Sequence, residues 1–156
     1  SCHTAKALAQ EYGGRVLVVD DRRISVTLAQ SIRNAQVLLA QGKTAAEVRD
    51  ILEAEIITGE DHLQTEVHNA CGSDMMSDVL AFVKDQSVLL TGLVNTQVVR
   101  TADMMDMVCI VFVRGKDPGA EIVELAADRG IVLMKSPLRM FTACGLLYEK
   151  GLRGGN

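Results

Sequence analysis

A short loop near the middle of the chain carries residue types that bind small anions. Gly72, Ser73 and Asp74 follow an extended segment and precede a helical pattern. Backbone N–H groups at a helix start, together with the positive end of the helix dipole, attract a phosphate or a carboxylate. A simpler interpretation is that Ser73 or Asp74 only caps the helix, because both residue types are preferred N-caps. The Asp74 carboxylate would also repel an anion unless a lysine or a metal intervened.

Three other loops follow predicted strands and supply positive charge or backbone donors. They cover residues 91–96, 114–117 and 135–139. Parallel strands end at a shared sheet edge, and ligands bind in the crevice beyond that edge. We therefore expect a small anionic ligand there, with a nucleotide as the leading candidate. The predicted ligand-binding residues are Gly72, Ser73, Thr91, Gly92, Asn95, Arg114, Gly115, Lys116 and Ser136.

Motifs for catalysis, metal binding or cofactor binding are missing from the sequence. It has no P-loop, no GxGxxG, no HExxH and no Ser-His-Asp order. The four cysteines, at positions 2, 71, 109 and 144, form no CxxC pair and lack the spacing of a zinc or iron–sulfur site. We expect no enzyme activity, no catalytic residue, no metal and no cofactor.

Composition limits the partners and the compartment. The chain has 156 residues, 48% of them hydrophobic, and a formal net charge of −4. Its basic residues are scattered, which argues against nucleic-acid binding, because phosphate backbones need clustered Lys and Arg. No apolar run is long enough to cross a bilayer, and we expect neither a signal peptide nor a membrane partner. Unpaired cysteines fit a reducing, cytoplasmic location.

The elements that would position these loops alternate between strand and helix. Thr44 and Glu47 have the capping-box spacing at the start of one helix. Such alternation predicts βαβ units: an α/β fold with three layers, in which a mainly parallel, Rossmann-like sheet has helices on both faces. Strands are predicted at 15–20, 55–58, 66–70, 87–92, 108–113 and 131–135, and helices at 4–12, 24–40, 44–54, 73–83, 95–105, 118–128 (with Pro118 in the first turn) and 136–150 (opened by Ser136 and Pro137).

Residues 44–151 resemble the DRTGG domain, which is also the N-terminal domain of HPr serine kinase. The matching segments are EVRDILEAEIITGEDHL (47–63), the stretch from ACGSDMM to VFVRG (70–115) and the stretch from PGAEIV to GLLY (118–148). There is no literal DRTGG string, although VVRTAD (98–103) and VFVRGKD (111–117) lie near the positions of its parts. Because that kinase domain lacks the catalytic P-loop, the resemblance implies a regulatory module rather than a kinase.

The first 54 residues resemble something else, an internal fragment of DegV-type fatty-acid-binding proteins. They show a helix, a strand ending in Asp, a long helix and a Gly-Lys-Thr turn at 42–44. The two resemblances meet over residues 44–54. We therefore predict a DegV-like segment at 1–43, a DRTGG-like domain at 44–156, and a fusion or chimera between them.

Methionines suggest an interface. Met75, Met76, Met104, Met105 and Met107 include adjacent pairs that point to different helix faces, so some should reach the surface. This motivates the prediction of a homodimer. The leading functional hypothesis is a non-catalytic regulatory module for a small anionic or nucleotide ligand. The alternatives are a dimerising scaffold without a ligand and, more weakly, a phosphoryl-transfer enzyme.

Overall fold

The structure, a computed structural model, describes residues 42–83 and 86–154. These residues belong to one structural unit, Ala40–Asn156. The helices and strand predicted over residues 4–40 lie outside the described residues, as does almost all of the DegV-like segment. The boundary between residues 43 and 44 therefore stays a prediction.

The described chain contains most of the predicted elements close to their expected positions. Its strands are β1 (Lys43–Thr44), β2 (Glu55–Thr58), β3 (Glu66–Val67), β4 (Asn69–Gly72), β5 (Ser87–Thr91), β6 (Cys109–Phe112) and β7 (Val132–Lys135). Its helices are α1 (Ala45–Ile51), α2 (Met76–Phe82), α3 (Thr96–Met104), α4 (Ala120–Asp128) and α5 (Met140–Glu149), with a 3-10 turn at Glu60–His62. None of these helices has the length and apolarity that crossing a bilayer requires.

Five strands form the central sheet in the order β2-β7-β6-β5-β4. Strands β4 to β7 are parallel, and each new strand is added beside the previous one. Strand β2 pairs with β7 in the antiparallel direction, with an irregularity between Ile56 and Thr58. Strands β1 and β3 form a separate two-stranded ladder. The predicted mainly parallel sheet is confirmed.

Both faces of the sheet are covered by helices. Along β6, Cys109 and Val111 pack into one apolar cluster, which includes residues of α1 and α5. Ile110 and Phe112 alternate with them and pack into a second cluster with residues of α2, α3 and α4. All four side chains are fully buried, as expected for a strand in the middle layer. The three-layer prediction is therefore confirmed.

Helix starts agree with the sequence at α1 and differ at three later helices, among them α4 and α5. The Glu47 N–H donates to Thr44 Oγ1 at 3.2 Å, and the Thr44 N–H donates to Glu47 Oε2 at 2.8 Å, so the capping box is confirmed. The prediction that Pro118 lies in the first helical turn is wrong, because Gly119 is the N-cap of α4. The prediction that Ser136 and Pro137 open the last helix is also wrong, since α5 begins after its N-cap Arg139.

Candidate functional site

The loops that follow β4, β5, β6 and β7 meet at one edge of the sheet. Because these four strands are parallel and in register, their last residues, Gly72, Thr91, Phe112 and Lys135, lie at the same end. We call this end the carboxyl edge; it comprises these residues and the loops after them. The predicted binding residues all belong to it.

Asp74 joins three of the four strands at the carboxyl edge. Its Oδ1 accepts hydrogen bonds from the Gly92 N–H at 2.6 Å and from the Thr91 hydroxyl at 3.0 Å. Its Oδ2 accepts a hydrogen bond from Arg114 Nη2 at 3.1 Å, which is also an ion pair. The residue that was expected to repel an anion is therefore itself held by cationic and neutral donors.

These donors also set the protonation state of Asp74. Partial desolvation by itself raises the pKa of the carboxyl group, but the hydrogen bonds from Gly92, Thr91 and Arg114, with the charge of Arg114, lower it by more. The net pKa lies below the ordinary value of 3.8. Asp74 is therefore ionised at neutral pH.

Arg114 reaches Asp74 from an unusual backbone conformation. Its φ is +67°, and Gly115 after it has a φ of +63°. A left-handed conformation costs a residue with a Cβ about 1–2 kcal/mol. Two hydrogen bonds to the next loop offset this cost: the Arg114 N–H donates to Leu138 O, and the Gly115 N–H donates to Ser136 O, both at 2.8 Å. The loop after β6 is thereby fixed to the loop after β7.

Lys116 adds a second cation next to the ion pair. Its Nζ donates to the Gly92 carbonyl oxygen at 2.5 Å, and its side chain remains exposed. Lys135 has different partners: its Nζ forms ion pairs with Asp117 Oδ1 at 2.7 Å and with Glu55 Oε2 at 3.1 Å. Formal charges of −1 on Asp74 and +1 on each of Arg114 and Lys116 add to +1 around Gly92.

Ser73 and Asp74 do not cap α2, contrary to the prediction. The N-cap is Met75, and no side chain among the described residues caps the helix there. The Ser73 hydroxyl instead bonds locally, accepting from the Met75 N–H at 3.0 Å and donating to the Met75 carbonyl at 3.2 Å. The Ser73 N–H donates to Leu90 O and so extends the pairing of β4 with β5. Helix α2 therefore starts later than predicted.

Three other predicted binding residues have structural contacts. Asn95 Oδ1 accepts from the Val98 N–H at 3.1 Å and caps α3. The buried Ser136 hydroxyl donates to Leu52 O at 2.6 Å and accepts from the Leu138 N–H at 3.2 Å. Gly72 packs so closely on α5 that a Cβ would lie 2.5 Å from Cys144 Sγ. The predicted residues that stay at the centre of the edge are Thr91, Gly92, Arg114, Gly115 and Lys116.

The cysteines in the described residues are poor nucleophiles. Cys71, Cys109 and Cys144 are free thiols. Burial raises the pKa of Cys109 to about 12, and it also raises the pKa values of Cys71 and Cys144. Over the same part of the chain, no three His, Cys, Asp or Glu side chains are grouped so that they could hold a metal ion.

Comparison with known proteins supports the fold. No family model matches the chain, and no curated protein matches it. It resembles the solved structure of the CBS and DRTGG domains of the regulatory region of Clostridium perfringens pyrophosphatase, complexed with the activator diadenosine tetraphosphate. The TM-score is 0.57 at 16% identity, covering 100% of this chain and 74% of that chain. The fold is DRTGG-like.

The same comparisons give no support to the DegV-type resemblance of residues 1–54. The hypothesis of a fusion between that segment and the DRTGG-like fold accordingly remains untested. The Met prediction is confirmed in one respect: Met75 is exposed and its neighbour Met76 is buried.

Proposed function

We propose that the DRTGG-like domain is a regulatory module that binds a small anionic ligand of the nucleotide class at its carboxyl edge. The observation that carries this proposal is the pair of cations, Arg114 and Lys116, that converge on Gly92 from a loop fixed by two backbone hydrogen bonds. Guanidinium and ammonium groups beside backbone donors are the usual partners of phosphate in proteins.

Two further arguments support a regulatory role without catalysis. The similar Clostridium perfringens structure is a regulatory region, and its bound activator, diadenosine tetraphosphate, is a nucleotide. Asp74, the acidic group at the centre of the edge, is engaged by three donors, and its low pKa makes it a poor general base. The proposed role is therefore ligand-dependent regulation.

Isothermal titration calorimetry of the full chain tests this function. The panel is ADP, ATP and diadenosine tetraphosphate, with adenosine as the ligand that lacks phosphate. We expect at least one phosphorylated ligand to bind and adenosine to give no heat. Arg114→Gly should weaken binding roughly tenfold or more, because a charge-assisted hydrogen bond contributes about 1.5–3 kcal/mol. Glycine is chosen because it tolerates the positive φ at this position.

Arg129→Ala is the matched control. Arg129 is half exposed and paired with Asp103, as Arg114 is paired with Asp74, but it follows α4 and precedes β7 at the opposite edge of the sheet. Its removal should leave binding unchanged. The proposal would be overturned if no phosphorylated ligand of the panel bound. It would also be overturned if Arg114→Gly and Arg129→Ala lost the same amount of affinity.

Exposed apolar side chains favour a second candidate function, a dimerising interaction module. Phe82 and Phe141 are 74% and 91% exposed, and Met75 and Met104 also face solvent. Multi-angle light scattering at micromolar concentration tests it. A dimeric mass that falls to the monomer value in Phe82→Ser or Phe141→Ser supports this candidate, and a monomeric wild-type protein counts against it.

A further inference from the structure

Asp74 occupies the place that an anion would take at the carboxyl edge. One backbone N–H, one hydroxyl and one guanidinium, from Gly92, Thr91 and Arg114, converge on its carboxylate. We propose that Asp74 is a built-in competitor, so that a ligand's phosphoryl group binds these donors only after displacing the carboxylate. This inference rests on the proposed function and specifies how the same site is regulated.

The Gly92 N–H and the Thr91 hydroxyl stay in place when the carboxylate leaves, and Arg114 stays anchored through its backbone. Thr91 is fully buried at the end of β5, and its Oγ1 also accepts from the Leu93 N–H at 3.1 Å. The backbone of Arg114 is fixed by its bond to Leu138 O. A phosphoryl group would therefore meet two donors that are already oriented and a guanidinium attached to a fixed backbone, which reduces the cost of ordering them on binding.

Asp74 itself is free to move away from the donors. Its side chain is 49% exposed, so the carboxylate can turn into water and be solvated there. An exposed ion pair of this kind contributes little to stability. The competitor is therefore strong enough to occupy the donors in the unliganded protein and weak enough for a multiply charged ligand to displace.

Charge repulsion prevents the Asp74 carboxylate and a ligand's phosphoryl group from binding the same donors at the same time. With Asp74 in place, one of the two positive charges around Gly92 is neutralised. A phosphoryl group on the same donors would lie against the carboxylate, and like charges at that distance repel. The apparent ligand affinity is consequently the intrinsic affinity multiplied by the fraction of molecules in which Asp74 is not bound to its donors.

The test is calorimetric titration of the full chain with inorganic pyrophosphate and, separately, with ADP. Asp74→Ala should tighten pyrophosphate binding roughly tenfold, and Asp74→Asn by a smaller factor, because a neutral amide oxygen still accepts but more weakly. The gain should disappear in the double variant Asp74→Ala/Arg114→Gly. The control Asp103→Asn, at the opposite edge, should not change affinity.

Comparing pyrophosphate with ADP shows which part of a nucleotide competes with Asp74. Equal gains for pyrophosphate and ADP identify the phosphoryl group as the part that competes with Asp74, whereas a gain for ADP alone would contradict that assignment. If Asp74→Ala fails to fold by circular dichroism, Asp74→Asn decides the outcome.

Different results would contradict the competitor role of Asp74 and the proposed function. Wild-type binding that is unchanged or weakened in the Asp74 variants would overturn the competitor and leave the binding site standing. No binding of either ligand by any variant would overturn the competitor, and the proposed function would fall with it if ATP and diadenosine tetraphosphate also failed to bind.

Discussion

The guanidinium group of Arg114 lies against the α-carbon of Gly92, so that a Cβ at position 92 would be 1.4 Å from Nη2. The residue after β5 must therefore lack a side chain if Arg114 is to reach Asp74. Gly92 also donates its N–H to Asp74 and accepts from Lys116. One glycine thus makes room for the ion pair, donates a hydrogen bond to its carboxylate and accepts one from the second cation, Lys116.

Gly92→Ala should break the ion pair without unfolding the protein. The clashing atoms are the far end of a flexible side chain, so Arg114 can swing into solvent while the backbone stays. We expect a stability loss of at most about 1 kcal/mol, since the pair is exposed. By NMR titration, the pKa of Asp74 should rise toward 3.8.

Gly145→Ala is the control for that experiment. Gly145 lies within α5, and a Cβ there would meet nothing within 4 Å. The substitution should stabilise the protein by about 0.5–1 kcal/mol through helix propensity and leave the pKa of Asp74 unchanged. An unshifted Asp74 pKa in Gly92→Ala would contradict the geometry described above.

Asp74 should make stability depend on pH in the acidic range. Its folded pKa lies below the unfolded value near 3.8, so its contribution is fully present above 3.8 and is lost as the pH falls through the folded pKa. Urea unfolding of wild type and Asp74→Asn between pH 7 and pH 2.5 measures this. The difference in unfolding free energy between the wild type and Asp74→Asn should shrink as the pH falls toward 2.5. A difference that stays constant with pH would argue against the lowered pKa of Asp74.

Gly72→Ala should destabilise the packing of α5 on β4. A Cβ there would lie 2.5 Å from Cys144 Sγ and 3.2 Å from Met140 Sδ. Overpacking of this kind costs about 1–3 kcal/mol. Cys144→Ala removes the closer sulfur, so the double variant should recover part of the loss in chemical denaturation. Additive losses would show that the contact is not responsible.

Ser136→Ala should cost stability and leave ligand affinity unchanged. Its hydroxyl is buried and links Leu52 O to the Leu138 N–H, so its loss leaves buried backbone groups without a partner, at about 1–3 kcal/mol. Ser73→Ala, whose hydroxyl bonds to Met75, is the milder control. A selective loss of nucleotide binding in Ser136→Ala would restore Ser136 as a ligand contact.

The sequence predicts the fold better than the site because the fold depends on local patterns. The alternation of apolar strands and helices after residue 87 is visible within short windows, and the capping box of Thr44 and Glu47 spans four residues. These signals are enough to predict the parallel sheet and its carboxyl edge. They also placed Thr91, Gly92 and Arg114 in one candidate site.

The contacts of Asp74 lie beyond such windows. Its partners Thr91, Gly92 and Arg114 are 17, 18 and 40 residues away, so the sequence offered only the local cap as an explanation. Ser136 is a similar case, since its hydroxyl bonds to Leu52, 84 residues earlier, rather than starting a helix. Register between neighbouring strands, which short patterns do not encode, brings these groups together.

Mapping a nucleotide onto the carboxyl edge tests the central claim most directly. In a two-dimensional ¹H–¹⁵N NMR titration of the full chain with ADP, the account predicts that the largest shifts occur at the backbone amides of Gly92, Arg114 and Lys116. The amides around Arg129, at the opposite edge, should stay unchanged. Shifts centred away from Gly92 would contradict it, as would the absence of shifts with ADP, ATP and diadenosine tetraphosphate alike.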